Sequence, residues 1–206
     1  MPQKFTPGQK AKLDHDYLAF GETIATSRIA QDGGLLVASV DVASFLTQFA
    51  PAGATLDLYW GLWLDSELSG TDGGDFTSGA WRTRVLNTEM ANTIAGASLA
   101  GNQVTLPAGT YIAWFSAPAY QVNHHATRLY DVTNATVLAR GSTTGSTALL
   151  ESSTDSPGFA IFTLGAPAAL EVQHCCETDN AGDGMGTACG FGDTETYAQV
   201  TVLKVA

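Results

Sequence analysis

The sequence is short of charge, of positive charge above all, of cysteine and of long apolar runs. Only 14% of its 206 residues are Asp, Glu, Lys or Arg, against roughly 25% in typical soluble domains. Lys and Arg together number 9, Asp and Glu 20, and the formal charge is −11. Nucleic-acid binding draws on clustered cations that release phosphate counterions. The tight basic groupings here are only Lys4, Lys10 and Lys12, and Arg82 with Arg84. Neither nucleic acid nor an anionic membrane surface is therefore an expected partner. No run approaches the roughly 20 apolar residues of a membrane span, so no membrane insertion is expected. The opening Met1-Pro2-Gln3-Lys4-Phe5 offers no apolar core for a secretory signal. Cys175, Cys176 and Cys189 are too few and too clustered for a secreted disulfide framework. Synthesis and folding in a cytoplasm is the expectation.

What the chain does have is 22 glycines, frequent Ser and Thr, and 45% hydrophobic residues, the make-up of strands and turns. Residues 1–20 differ from the rest. Leu13, Tyr17, Leu18 and Phe20, set among Lys10, Lys12, Asp14, His15 and Asp16, predict a short amphipathic helix stopped at Gly21. A second helical stretch is predicted from Val42 to Phe49, ended by Pro51. Leu56–Leu64, rich in aromatics, reads as a buried strand. Ser69–Asp75 is a clear punctuation. Beyond it, short strand-like runs alternate with turn clusters: Trp81–Leu86, Gln103–Leu106, Thr110–Ala117, Ala126–Asp131, Thr136–Ala139, Gly158–Leu164, Ala169–His174 and Thr196–Lys204. Strands at this spacing predict a mainly β protein, an antiparallel sandwich or jelly roll. Pro107-Ala108-Gly109 and Asp131–Asn134 stand where hairpin turns are expected.

Chemistry-bearing patterns are sparse. His174-Cys175-Cys176 with Cys189, and His124-His125, invite a metal reading. Adjacent cysteines on a strand point to opposite faces, however, so the pair does not close on one ion. Buried or idle thiols are the default, with a disulfide from Cys175 or Cys176 to Cys189 as the alternative. Glu177–Gly184 resembles a calcium loop, but the required polar third position, counted from Asp179, is Ala181, and no closing Glu follows. It reads as a solvated hairpin loop, and neither metal nor cofactor is expected. There is no nucleophile elbow, phosphate loop or dinucleotide fingerprint. Asp57, Asp65, Glu67, Glu89 and Asp131 are the carboxylates from which a glycosidase pair would have to come; solvated faces are the simpler reading. Trp63, Trp81, Trp114, Phe115 and Tyr120 offer rings for sugar stacking, although strand aromatics are more often core or interface residues. Asn134-Ala135-Thr136 fits a glycosylation acceptor and reads as a turn.

A family resemblance lies in the order of several strings. They are Phe76–Thr88, with Trp81-Arg82-Thr83-Arg84 at its centre; Val104–Tyr111; Ser116–Thr133, including Tyr120-Gln121-Val122-Asn123-His124-His125; Leu170–Cys175; Gly190-Phe191-Gly192; and Glu195–Val200. Together they resemble a module of tailed-phage and prophage virion appendages, over about residues 72–205, and through it the trimeric jelly rolls of the C1q and tumour-necrosis-factor type. The resemblance implies a non-enzymatic homotrimer in the virion, made in a host bacterial cytoplasm. On that basis residues 72–206 are expected to form a jelly roll, and 1–71 a small α+β region attaching to other virion proteins of the tail, baseplate or capsid. Leu13, Tyr17, Leu18 and Phe20 would be the attachment face. A tail fibre or spike that contacts the host surface is the leading expectation, a capsid decoration or head fibre the alternative, and a carbohydrate-active virion enzyme ranks last. For a host glycan, the loops carrying Tyr120, Asn123, His124 and His125, and Asp179 and Asp183, are the expected contacts, because loops at one end of a sandwich carry recognition.

Overall fold

The computed structural model describes residues 58–149 and 151–205. Leu13, Tyr17, Leu18 and Phe20, and both expected helices, lie outside the described residues. Every regular element within them is a strand: β1 (Tyr59–Glu67), β2 (Arg82–Thr83), β3 (Thr88–Asn92), β4 (Ser98–Ala100), β5 (Gln103–Leu106), β6 (Gly109–Ser116), β7 (Pro118–Tyr120), β8 (Asn123–Asp131), β9 (Thr136–Arg140), β10 (Thr144–Ser146), β11 (Ser153–Asp155), β12 (Gly158–Leu164), β13 (Ala168–Cys176) and β14 (Glu195–Lys204). The first sheet has the order β12-β6-β14-β1-β3, and the second β10-β8-β13-β5-β4, with β9 joined to β8 and β2 to β13. A two-stranded ribbon, β11-β7, completes the set. All pairings are antiparallel.

From β5 onward the long strands alternate between the sheets: β5 in the second, β6 in the first, β8 in the second, β12 in the first, β13 in the second and β14 in the first. That alternation makes the sandwich a jelly roll. It also corrects the reading of Pro107-Ala108-Gly109. The segment carries the chain across from β5 to β6, not around a hairpin, and the Tyr111 hydroxyl donates back to the Pro107 carbonyl at 2.7 Å. Asp131–Asn134 does turn the β8–β9 hairpin, with the Asp131 carboxylate accepting from both the backbone and side-chain nitrogens of Asn134. β1 runs between β14 and β3, so residues 59–67, expected in the N-terminal region, belong to the sandwich. The compact unit is Leu58–Ala206.

Period-two alternation sorts the side chains. On β8, His125, Thr127, Leu129 and Asp131 face inward, and His124, Ala126, Arg128 and Tyr130 outward. The main core holds Trp63, Leu106, Tyr111, Phe115, Leu129, Leu170, Val172 and Val202, all at most 2% exposed; each such burial is worth roughly 1.5–3 kcal/mol. Trp63 lies across Gly61, whose missing Cβ would stand 2.1 Å from the indole, and its ring nitrogen donates to Glu89 at 2.9 Å. Toward one end a smaller apolar cluster forms from Phe76, Ala119, Val122 and Cys176.

Between the two clusters lies a buried polar layer. Thr127 and Ser156 bond to each other. The His125 Nδ1 and His174 Nε2 are 2.9 Å apart. Arg84, fully buried, donates to the carbonyls of Pro118 at 3.2 Å and Met185 at 2.6 Å. The Arg82–Arg84 grouping is thus not a surface basic patch: one of its two cations is an interior tie between β7 and the loop before β14.

Candidate functional site

Two surfaces stand out, a sheet face and a loop end. An antiparallel sheet packed on one side normally presents polar residues on the other. On the first sheet the register places Trp60 beside Leu203, Leu203 beside Ile112, and Ile112 beside Ile161 across β1, β14, β6 and β12. The next outward row is Leu62, Thr201, Trp114 and Phe159. Trp60 is 40%, Trp114 48%, Phe159 50% and Ile161 65% exposed, and Trp114 meets Phe159 edge-on with ring centroids 5.5 Å apart. A contiguous apolar patch crossing four strands marks an interaction surface.

The loop end is built from the two segments expected to carry recognition, and the fold brings them together. The Tyr120 nitrogen donates to the Gly184 carbonyl at 3.1 Å, and the Asn180 amide donates to the Tyr120 carbonyl at 2.9 Å. Asn123, in the left-handed region at φ 59, donates to the Thr178 hydroxyl and accepts from the Ala148 nitrogen. His124 is exposed and pairs with Glu177 at 2.6 Å; that bond holds the Glu177 carboxyl below its ordinary range. Burial, and then the carboxylates of Glu151 and Asp183, raise the Tyr120 hydroxyl.

Two of the six expected contacts do other work. His125 is buried at 3% exposure and faces the sandwich interior, because it alternates with the outward His124. Asp179 is exposed, but its carboxylate accepts from the Ser78 nitrogen at 2.6 Å. The loop expected to be a free, solvated hairpin is clamped onto residues 72–78. Asp75 accepts from the Gly182 nitrogen, Asp72 from the Ala188 nitrogen, and Phe76 and Asn180 exchange backbone bonds.

The cysteines do not bridge. Cys175 is half-buried on the outer face, Cys176 is buried among Phe76 and Val122, Cys189 is exposed, and all three are free. Burial raises the Cys176 thiol to about 11, leaving an inert thiol. The disulfide alternative is thereby corrected. No group of three His, Cys, Asp or Glu among the described residues is placed to hold a metal.

The carboxylates have structural partners. Asp65 is buried and held by Asn87, which also bonds Glu67; burial raises Asp65 to about 6, against the pull of Arg84. Glu89 accepts from Trp63, Asp131 caps its turn, and Asp57 lies outside the described residues. Of the aromatics, Trp63 and Phe115 are core, Trp81 lies under Arg128, and Trp114 is open. Arg84 was not recoverable as a structural hub from its sequence neighbours. The outward apolar rows did leave a trace: Gly-Phe-Ala-Ile-Phe-Thr-Leu of β12 carries large apolar residues on both parities, the mark of a strand covered on both faces.

The topology and the sheet face define a jelly-roll sandwich with an uncovered apolar side. No protein-family model matches the chain, and no curated protein does. Solved structures do. Murine APRIL at pH 5.0 aligns at 9% identity and TM-score 0.47 over 72% of this chain and 100% of that one. The globular domain of zebrafish complement 1qA aligns at 14% and 0.44 over 72% and 96%, and an Eiger TNF from S. frugiperda at 14% and 0.48 over 72% and 93%.

Proposed function

We propose that this chain is a non-enzymatic subunit of a virion appendage in a tailed phage or phage-like particle, working as a homotrimeric tail fibre or spike in host-surface attachment. The observation that carries the assembly is the pair of outward apolar rows on the first sheet. Three copies meeting through that face would remove Trp60, Trp114, Phe159 and Ile161 from water, and a closed ring leaves no face unused. The virion setting rests on the ordered strings from Phe76 to Val200. Host contact falls to the loop end, where Tyr120, Asn123, His124 and Asp183 gather, with a surface glycan as the ligand class. Residues 1–57, with Leu13, Tyr17, Leu18 and Phe20, are the attachment to the particle.

The test is incorporation. Particles made with a chain lacking residues 1–20 should contain none of it, although the truncated chain purifies with the native mass of the full chain. Normal incorporation overturns the attachment role, and absence of the full-length chain from purified particles overturns the virion reading.

A further inference from the structure

The basic residues of the described part are Arg82, Arg84, Arg128, Arg140 and Lys204. Two of them share one spot on the outer face of the second sheet. Arg128 on β8 and Arg140 on β9 are direct cross-strand partners, an arrangement of like charges that destabilises a sheet. No carboxylate pairs directly with either guanidinium, since the one ion pair among the described residues joins His124 and Glu177, and the nearest acidic influence on Arg128 is Glu171. Aromatic rings hold the cations. The Arg128 Cζ lies 4.2 Å from the centroid of Trp81 and 4.8 Å from that of Tyr130, and the Arg140 Cζ 6.0 Å from Trp81.

A hydrogen-bonded chain then fixes the Arg128 guanidinium. Its Nε donates to Gln173 Oε1 at 2.6 Å, the Gln173 amide donates to Glu171, and Gln103 donates to the other Glu171 oxygen at 3.3 Å. Gln173 and Glu171 are under a tenth exposed although they stand on the outer face. Only Nε of Arg128 is used, and the Arg140 guanidinium, which is exposed, makes no hydrogen bond. Burial, and in smaller part Arg140, lower the Arg128 pKa, so the pair is held at a cost.

We infer that Trp81, Arg128, Tyr130 and Arg140 form a binding site for a carboxylate-bearing sugar of an acidic surface polysaccharide. The inference rests on the host-attachment reading above and adds to the loop end a second contact, on the outer face of the second sheet, with acidic sugar as its ligand class. Planar guanidinium donors match a carboxylate in bidentate geometry, and aromatic walls beside them suit the apolar face of a sugar ring. Two cations serve one carboxylate; a phosphate backbone is tracked by many more. The charge of −11 on the chain acts against a polyanion at long range, but screening confines it to about 8 Å at physiological salt, so the local pair decides.

The experiment is calorimetric titration of the full chain with oligogalacturonate and with α2,8-linked sialic acid oligomers. Maltooligosaccharide of equal length is the neutral control, and an oligothymidylate the polyphosphate control. At least one carboxylated oligomer should bind and the neutral one should not. Arg140→Gln should weaken binding at least about tenfold, with Arg140→Lys retaining more of it, at unchanged native mass. The inference is overturned if neither carboxylated oligomer binds, if Arg140→Gln binds as well as the wild type, or if the oligothymidylate binds more tightly. A trimer that binds no acidic sugar removes this site and leaves the assembly standing. A monomer that binds one does the reverse.

Discussion

Acidification should destabilise this protein chiefly through one pair of residues. His125 and His174 are buried, with their rings bonded at 2.9 Å, and the second nitrogen of His125 faces the Thr154 hydroxyl at 2.8 Å. The Nδ1 of His174 has no partner. The contact requires one ring to donate and the other to accept, so it exists only while at least one ring is neutral. Burial, and then the nearby cation of Arg84, push His125 down to about 4 and His174 to about 2. The unfolded chain titrates near 6.5. Because the folded values are lower, the unfolded state takes up protons first. The stability these rings contribute is whole above about 6.5 and is lost as the pH falls.

At pH 5 the loss is roughly 2 kcal/mol per ring, or about 4 kcal/mol for the pair, at 1.36 kcal/mol per pH unit. Asp65 opposes it. Its folded value of about 6 exceeds its unfolded one, so it returns roughly 1 kcal/mol by pH 5. The net loss of about 3 kcal/mol is a large fraction of a domain's usual 5–15 kcal/mol. Urea unfolding followed by tryptophan fluorescence at pH 7.5, 6.5, 5.5 and 5.0 reads it directly, at fixed protein concentration because the proposed assembly would add to stability. The double variant His125→Gln/His174→Gln should flatten the slope between 6.5 and 5. An equal slope in variant and wild type would mean that the two histidines do not set the acid sensitivity.

Other changes follow from the same interior. Arg84→Met strands the Pro118 and Met185 carbonyls, and should cost about 1–3 kcal/mol for each buried acceptor left unpaired; a loss under about 1 kcal/mol would show that the tie is dispensable. Gly158→Ala places a Cβ 2.1 Å from the Phe115 ring. It should cost about 1–3 kcal/mol through overpacking, read as a lowered urea midpoint with an unchanged slope.

The sequence made the long strands legible because they carry a clean alternation or a bounded apolar run. Gln103–Leu106 and Gly158–Leu164 match their strands end to end, and β6, β13 and β14 are offset by a residue or two. The short strands β3, β4, β7, β10 and β11 were not legible. Thr88–Asn92, for example, has exposed Glu89 and Met90 side by side, and its pairing is dictated by β1, not by any period of its own. The recognition end was legible as two loops but not as one surface, since the bonds from Asn180 to Tyr120 and from Asn123 to Thr178 join residues distant in the chain. His125 was misplaced because a histidine pair reads as one feature, while a strand sends its members to opposite faces. Arg84 was missed because a charge reads as surface, and only the carbonyls that the fold turns toward it make its burial tolerable.

Sedimentation of the purified protein over a tenfold dilution, alongside Trp114→Asp and Ile161→Asp, reads whether the outward apolar face of the first sheet joins copies of this chain. The wild type should sediment at three times the chain mass at every concentration, and either variant should dissociate toward a folded monomer. A wild-type monomer, or variants that remain trimeric, would mean that this face does not join the copies.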